Sequence, residues 1–359
     1  MAALLPFNVS FGNTSLEESV VRTTCHNISV VPHQNIFIPT IYSIIFILGV
    51  LGNGLVLVVL CQGSCRNTVA NTYMLNLALS DLLFLLSLPF WAVYYSLDYQ
   101  WLFGGLMCKL CGGLLTLNLY ASIFFITCMS MDRYLAIVHP LTAQSCRRPC
   151  RARLLSGLLW VLAGLISIPA VVFRDSHYIQ QLGVSACVLH YPGQNWFVAL
   201  ALMKNVLGFL LPFGVISSCY CSIARHLLGA PGLDKRSGNL DKVLKTVLAV
   251  VLAFFLCWGP FHVLTFLEVL MSMEALQVCW VEEAVSLGLP FTLCLGFSNS
   301  AINPFLYCFV GNHFRGQLSS IYQSHSSSLR PDSLSTRLSS FSRKLNEMRD
   351  LGPLDHGAA

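Results

Sequence analysis

The sequence predicts an all-α membrane protein: a bundle of seven transmembrane helices with a short amphipathic helix after the seventh span. Three observations predict it. Hydrophobic side chains make up 55% of the 359 residues and charged ones only 10%, with a mean hydropathy of +0.67, whereas a soluble surface carries about a quarter charged residues. The apolar residues gather into blocks of about twenty, the helix length that crosses a hydrocarbon layer about 30 Å thick. Basic residues collect in alternate joints between those blocks. A water-soluble enzyme is excluded, and a net charge of +5 is too small for a nucleic-acid footprint.

Taken in order, residues 1–36 form an outer tail with the glycosylation triplets Asn8-Val9-Ser10, Asn13-Thr14-Ser15 and Asn27-Ile28-Ser29. The tail has no basic start and no apolar core of signal-peptide length, so the first span is expected to direct insertion itself. The membrane body, residues 37–310, holds spans expected at 37–61, 72–97, 107–138, 155–173, 196–226, 243–271 and 281–308. Arg66 lies in the first joint, Arg147, Arg148, Arg151 and Arg153 in the third, Arg225, Lys235, Arg236, Lys242 and Lys245 in the fifth, and His313 and Arg315 after the seventh. The other side carries Glu17, Glu18, Asp98, Asp175, Glu274, Glu282 and Glu283. The positive-inside rule therefore places the N-terminus outside and the C-terminus in the cytoplasm of a multi-pass plasma-membrane protein.

Residues 311–322 space Phe314, Leu318, Ile321 and Tyr322 as an amphipathic surface helix, and residues 323–359 read as a disordered Ser-rich tail. Of fifteen cysteines, Cys25, Cys108, Cys187 and Cys279 lie on the oxidising side, where two disulfides have three pairings. The spacing Cys108-x-x-Cys111 falls on a membrane helix without a second ligand pair, which argues against zinc.

Polar groups at bilayer depth are costly and mark function. Asp81, Asn118, Ser122, Asn299 and Asn303 sit at comparable depth and would suit a hard cation such as sodium. The competing reading is a protonated or water-bridged Asp81 that holds helices together. Lys204 interrupts the apolar run Leu200 to Leu211, and Arg174 lies just outside the fourth span. A cavity lined by both would attract a carboxylate, while the bland reading of Lys204 is snorkelling to the headgroups. Pro169, Pro212, Pro260, Pro290 and Pro304 are each expected to interrupt a span.

Five motifs then occur in order on the seven spans. They are Gly52-Asn53, Leu77-Ala78-Leu79-Ser80-Asp81, Asp132-Arg133-Tyr134, Cys257-Trp258-Gly259-Pro260 and Asn303-Pro304-Phe305-Leu306-Tyr307. Together they resemble the signature of rhodopsin-like (class A) G-protein-coupled receptors. Within that family, Leu88 to Tyr95, Asn118 to Ser122, Ala201 to Asn205 and Trp258 to Leu267 look like angiotensin II receptors. Ala121 to Ser130 and Asn303 to Asn312 look nearer the type 2 branch, and Asp132 to Pro140 is also similar to type 1. The resemblance covers about residues 33–318.

The resemblance implies an outer peptide-hormone site. Arg174 and Lys204 match the basic pair that holds the peptide's terminal carboxylate, and Trp91, Tyr94 and Tyr95 match aromatics lining the pocket. Met203, Trp258 and Phe261 would form its floor. The family's helix-six Asp is Glu268 here, and its helix-seven Asp is Ser286, with Glu283 three residues earlier to substitute. Disulfides Cys108–Cys187 and Cys25–Cys279 are implied. So is an activation switch of Asp132, Arg133, Tyr134, Tyr220, Phe254, Trp258, Asn303, Pro304 and Tyr307, with Pro212 and Ile123 beside Phe254. Implied partners are angiotensin II, a heterotrimeric G protein and, through the Ser/Thr cluster of Ser319 to Ser342, a receptor kinase and arrestin. No cofactor is expected beyond an allosteric sodium ion.

Competing classes find less support. No Lys lies between Lys245 and Lys344 to form an opsin's Schiff base, and Leu115 stands where amine receptors carry an Asp. No nucleophile, base or metal constellation marks an enzyme, and no internal repeat marks a transporter. The nearer alternative is a receptor for another peptide, of the bradykinin, apelin or chemokine type.

Overall fold

In the computed structural model, residues 33–62, 68–146, 148–180, 183–228 and 238–310 are described. The tail with Asn8, Asn13, Asn27 and Cys25, and the segments 311–322 and 323–359, lie outside the described residues.

Among the described residues, seven helical spans are long and apolar enough to cross a membrane. The first is α1 (Gln34–Gln62). The second is divided into α2 (Val69–Leu85) and α3 (Leu88–Ser96). The third is α4 (Gly104–Val138), followed by the short α5 (Pro140–Cys146), and the fourth is α6 (Pro149–Val172). The fifth runs through α7 (Gln194–Asn205), a π-helical turn (Val206–Leu210) and α8 (Leu211–Leu228). The last two are α9 (Gly238–Ser272) and α10 (Cys279–Val310). Each helix begins two to six residues before its expected apolar run, because the first turn of a spanning helix tolerates polar groups at the interface.

Local chemistry explains the ends and breaks. Thr68 caps α2 by accepting the Asn71 N–H at 3.2 Å, and Pro149 opens α6 where its missing N–H costs nothing. The second span is broken at Leu86 and Ser87 because Pro89 cannot donate to the Leu85 carbonyl. Ser87 repairs the break by donating its backbone N–H (2.8 Å) and hydroxyl (2.7 Å) to the Phe84 carbonyl.

Pro169, Pro260, Pro290 and Pro304 lie inside helices that run on through them. Near Pro212 the ladder changes period, the Leu211 N–H reaching back five residues to the Val206 carbonyl. A proline that lacks a donor leaves the preceding turn free to widen.

The packing is that of a lipid-solvated bundle. Leu51, Leu106, Leu154 and Leu256 are each at least 68% exposed, while Asn53, Asp81, Asn118 and Asn303 are buried. Apolar residues outside and polar groups bonded within is what a hydrocarbon solvent selects. In their apolar windows α4 and α10 are 61% buried against 17% for α6, so α4 and α10 form the centre and α6 the rim.

Between α6 and α7 the chain forms a β-hairpin that the all-α expectation omitted. Strand β1 (Arg174–Ile179) pairs antiparallel with β2 (Val184–Leu189), with Arg174 opposite Leu189 and His177 opposite Ala186. The Trp101 N–H donates to the Ser185 carbonyl at 2.6 Å, and the Ser185 N–H donates to Gln100 Oε1 at 3.1 Å. Cys187 of β2 is disulfide-bonded to Cys108 of α4, which selects one of the pairings open from sequence. Cys279 is also disulfide-bonded, and its implied partner Cys25 lies outside the described residues.

Candidate functional site

The hairpin lies at one end of the bundle and delivers Arg174 to a cavity walled by α4, α6, α7, α9 and α10. Arg174, Lys204, Glu268, Met203, Trp258 and Phe261 all line it, so six of the ten expected ligand residues share one enclosure. Another groove, lined by Met131, Leu135, Leu210, Leu211 and Val215, has no Lys, Arg, Asp or Glu on its walls.

Arg174 owes its position to several neighbours. Its side chain is 2% exposed and its guanidinium carbon lies 5.4 Å from the centre of the Trp91 ring. The Arg174 Cδ and Nε occupy the space that a Cβ on Gly112 would take, so α4 needs glycine there. Burial lowers the Arg174 pKa, and the nearby Tyr191 and Tyr94 hydroxyls act against that shift. The guanidinium remains charged, as arginine does throughout proteins. Tyr191, which also lines the cavity, is pushed up to about 12, chiefly by burial, with Arg174 lowering it and Glu268 raising it.

Lys204 turns inward. Its Nζ stands 4.8 Å from the centre of the Phe261 ring, a cation–π contact. The snorkelling alternative is thereby set aside. Two cations from different elements therefore face one apolar-walled space, with the carboxylate of Glu268 on the same lining. Such a space attracts a ligand with an anionic group and tolerates a cationic one beside Glu268.

Two expected groups are placed elsewhere. Trp91, Tyr94 and Tyr95 do not line the cavity but stand in an aromatic cluster behind Arg174. Trp91 lies 5.4 Å and Tyr94 5.7 Å from Trp101, and Tyr95 lies 5.7 Å from Tyr42, ring centre to centre. Glu283 does not reach the cavity either, where α10 contributes Leu289 and Leu293. Ser286, one turn below Glu283, is fully buried and donates to the Glu283 carbonyl at 3.0 Å.

Sequence reading missed a second polar group beside Lys204. Asn205 Oδ1 lies 3.0 Å from His262 Nδ1 and accepts from the Thr265 hydroxyl at 3.4 Å, joining the fifth span to α9. The signal was a buried Asn next to Lys204 and a His one turn beyond Trp258.

Mid-bundle, Asp81 accepts from Asn118 Nδ2 at 3.0 Å, Ser122 Oγ at 3.5 Å and Asn303 Nδ2 at 2.9 Å. Ser300 donates to Asn118 Oδ1 at 3.4 Å, and Asn118 Nδ2 also reaches Ser80 Oγ at 3.1 Å. Asn299, the remaining member of the expected set, is buried, and its Nδ2 has no hydrogen-bond partner among the described residues. Ser300, one residue on and about 100° round the helix, joins the cluster as well. One carboxylate with hydroxyl and amide oxygens fits a hard monovalent ion, and the Oδ1 of Asn303 is buried with no partner among the described residues. No three His, Cys, Asp or Glu side chains converge as a metal centre among the described residues.

At the base of the cavity, Trp258 packs its ring against Gly296, where a Cβ would stand 2.8 Å away, and lies 6.5 Å from Phe254. Phe254 and Ile123 are fully buried, and Pro212 is buried too. At the far end, Arg133 pairs with its neighbour Asp132, both buried, and Tyr134 Oη lies 3.0 Å from His139 Nε2. Tyr220 is half-buried, and the side chain of Tyr307 lies outside the described residues.

With this geometry in hand, similarity to known proteins adds a frame. The model of the 7 transmembrane receptor (rhodopsin family) matches residues 52–307. The type-2 angiotensin II receptor of Homo sapiens is 48% identical over 289 residues, 80% of this chain and 79% of that protein. The Ovis aries type-2 receptor is 46% identical over 88% of this chain and 87% of its own length. The type-1 angiotensin II receptor of Bos taurus is 41% identical over 84% and 86%. The resemblance to angiotensin II receptors, nearer type 2 than type 1, is thus borne out.

Proposed function

The chain belongs to the rhodopsin family of seven-transmembrane receptors, signalling proteins of the plasma membrane rather than enzymes, and we propose that its ligand is angiotensin II. One observation carries the reading: Arg174 and Lys204, from β1 and α7, face a single cavity in a chain whose relatives bear that peptide's name. The peptide's terminal carboxylate sits between the two cations through charge-assisted hydrogen bonds. Met203, Trp258 and Phe261 take its last apolar side chain, and Glu268 takes its arginine. Trp91, Tyr94 and Tyr95 act at one remove by fixing Arg174.

The hairpin end with its glycosylated tail is outside, and the Asp132-Arg133-Tyr134 end is cytoplasmic. Peptide shifts the receptor population only as far as it binds the active form more tightly. Contact with Trp258 moves α9 over Phe254, Ile123 and Pro212, frees Arg133 from Asp132 and admits a G protein. Sodium held by Asp81, Asn118, Ser122, Asn299 and Asn303 favours the resting packing. A receptor kinase and arrestin act through the Ser and Thr residues from Ser319 to Ser342.

The test is binding of labelled angiotensin II to membranes from cells expressing the chain, with Lys204→Ala alongside. Saturable nanomolar binding that is lost in the variant is expected. No binding to receptor proven at the surface would refute angiotensin II as the ligand and turn attention to Ser286, the lost acid.

A further inference from the structure

The outer hairpin carries two imidazoles that the ligand site does not use. His177 of β1 and His190, just after β2, are both exposed, and their ring centres stand 5.7 Å apart with planes tilted 51°. Register brings this about. Asp175 pairs with Val188 and His177 with Ala186, and the ladder continues to the His190 N–H, which donates to the Phe173 carbonyl at 2.7 Å. Alternation along the strands then sets Asp175, His177, Val188 and His190 on the same face.

We propose that His177 and His190 form a binding site for a late first-row divalent cation, zinc or copper, which clamps the hairpin that delivers Arg174. Imidazole nitrogen is a preferred ligand of these ions. An ion about 2.0–2.1 Å from one nitrogen of each ring holds two ring centres about 5–6 Å apart, the spacing already present. Water fills the remaining positions.

Asp175 shares the face and is held by Lys109 at 3.0 Å. It neutralises a neighbouring cation and so lessens repulsion of the ion. Because the site ties the start of the hairpin to its end, the ion binds the formed hairpin and not the opened one. Its occupancy therefore slows opening of the hairpin by mass action. The proposal needs no particular peptide and stands apart from the identity of the hormone.

The experiment uses the full-length receptor in lipid nanodiscs. Substoichiometric Cu2+ is read by electron paramagnetic resonance for nitrogen coupling, with Zn2+ as competitor, and amide exchange of the hairpin is followed with and without Zn2+. We expect nitrogen-coordinated Cu2+ displaced by Zn2+, and metal affinity weakened at least about tenfold in His177→Gln and in His190→Gln, more than the loss of a supporting partner costs. Hairpin amides should exchange up to about a hundredfold more slowly at Zn2+ a hundred times above its dissociation constant, in the parent receptor only. A retained Cys108–Cys187 bond in both variants checks that the hairpin still folds. Copper binding unchanged by either substitution, or exchange unaffected by bound Zn2+, overturns the proposal.

Discussion

The cavity at the hairpin end and the mid-bundle polar cluster are both charged places inside an apolar bundle, and they are built in opposite ways. Around Asp81 the acceptor is met by donors from its own protein, Asn118, Ser122 and Asn303. Around Arg174 and Lys204 the charges are held by aromatic faces, Trp91 and Phe261, and both line a void. Charges satisfied internally hold helices together and respond to their rearrangement. Charges braced from behind and open in front are arranged for something that arrives from elsewhere.

The largest effect should come from removing the open charges. Arg174→Ala and Lys204→Ala should each weaken peptide binding by more than about tenfold, measured by saturation with the labelled hormone. Arg174→Lys should not recover it, since a point charge lacks the planar fork. If both alanine variants bind normally, the cavity is not the carboxylate site.

The contrasting substitution is Asp81→Ala. It strands the amides of Asn118 and Asn303 and should cost about 1–3 kcal/mol of stability, read as a lowered thermal midpoint of purified receptor. Affinity should change far less than in the outer variants. A tenfold loss of affinity here would erase the distinction between the two regions.

Gly112→Ala sharpens the claim that Arg174 is braced. The new methyl must displace the arginine stem, an overpacking worth about 1–3 kcal/mol. The expected readout is weaker peptide binding in a receptor that still reaches the surface. Normal affinity would mean that the stem can shift without moving the guanidinium.

The smallest effect concerns pH at the hairpin. The hydrogen bond from Lys109 and then the Ser176 N–H hold the Asp175 carboxyl below its ordinary range. A lowered folded-state value contributes stability above the unfolded pKa and loses it as pH falls through the folded value. Acidification below the usual carboxylate range should thus speed hairpin amide exchange slightly, and Asp175→Asn should abolish that component. Both side chains of the pair are more than a third exposed, so solvent screens most of it.

Much of this was legible in the residues because a bilayer leaves few options. A helix that crosses hydrocarbon shows its length as an unbroken apolar run, and Asp81 and Lys204 stand out where a charge is expensive. The hairpin was not legible, since the segments 174–179 and 184–189 are short and their alternation is weak against a loop's mixed composition. The π-helical turn before Pro212 was hidden for another reason: proline says which donor is missing but not how the chain adjusts. The place of Ser300 in the Asp81 cluster, and the withdrawal of Trp91, Tyr94, Tyr95 and Glu283 from the cavity, turn on the rotation of each helix, which hydropathy does not resolve.

What the sequence by itself determined was the number of spans, their polar interior and the residues on which charge could matter, because solvent imposes those on any chain regardless of partners. What only the tertiary structure decided was which side chains meet. The approach of β1 to α4 seats Arg174 on Gly112 and sets it on one cavity with Lys204 from a separate span. That meeting depends on the rotation of each helix and on the Cys108–Cys187 bond, and these are set by packing between segments far apart in the chain.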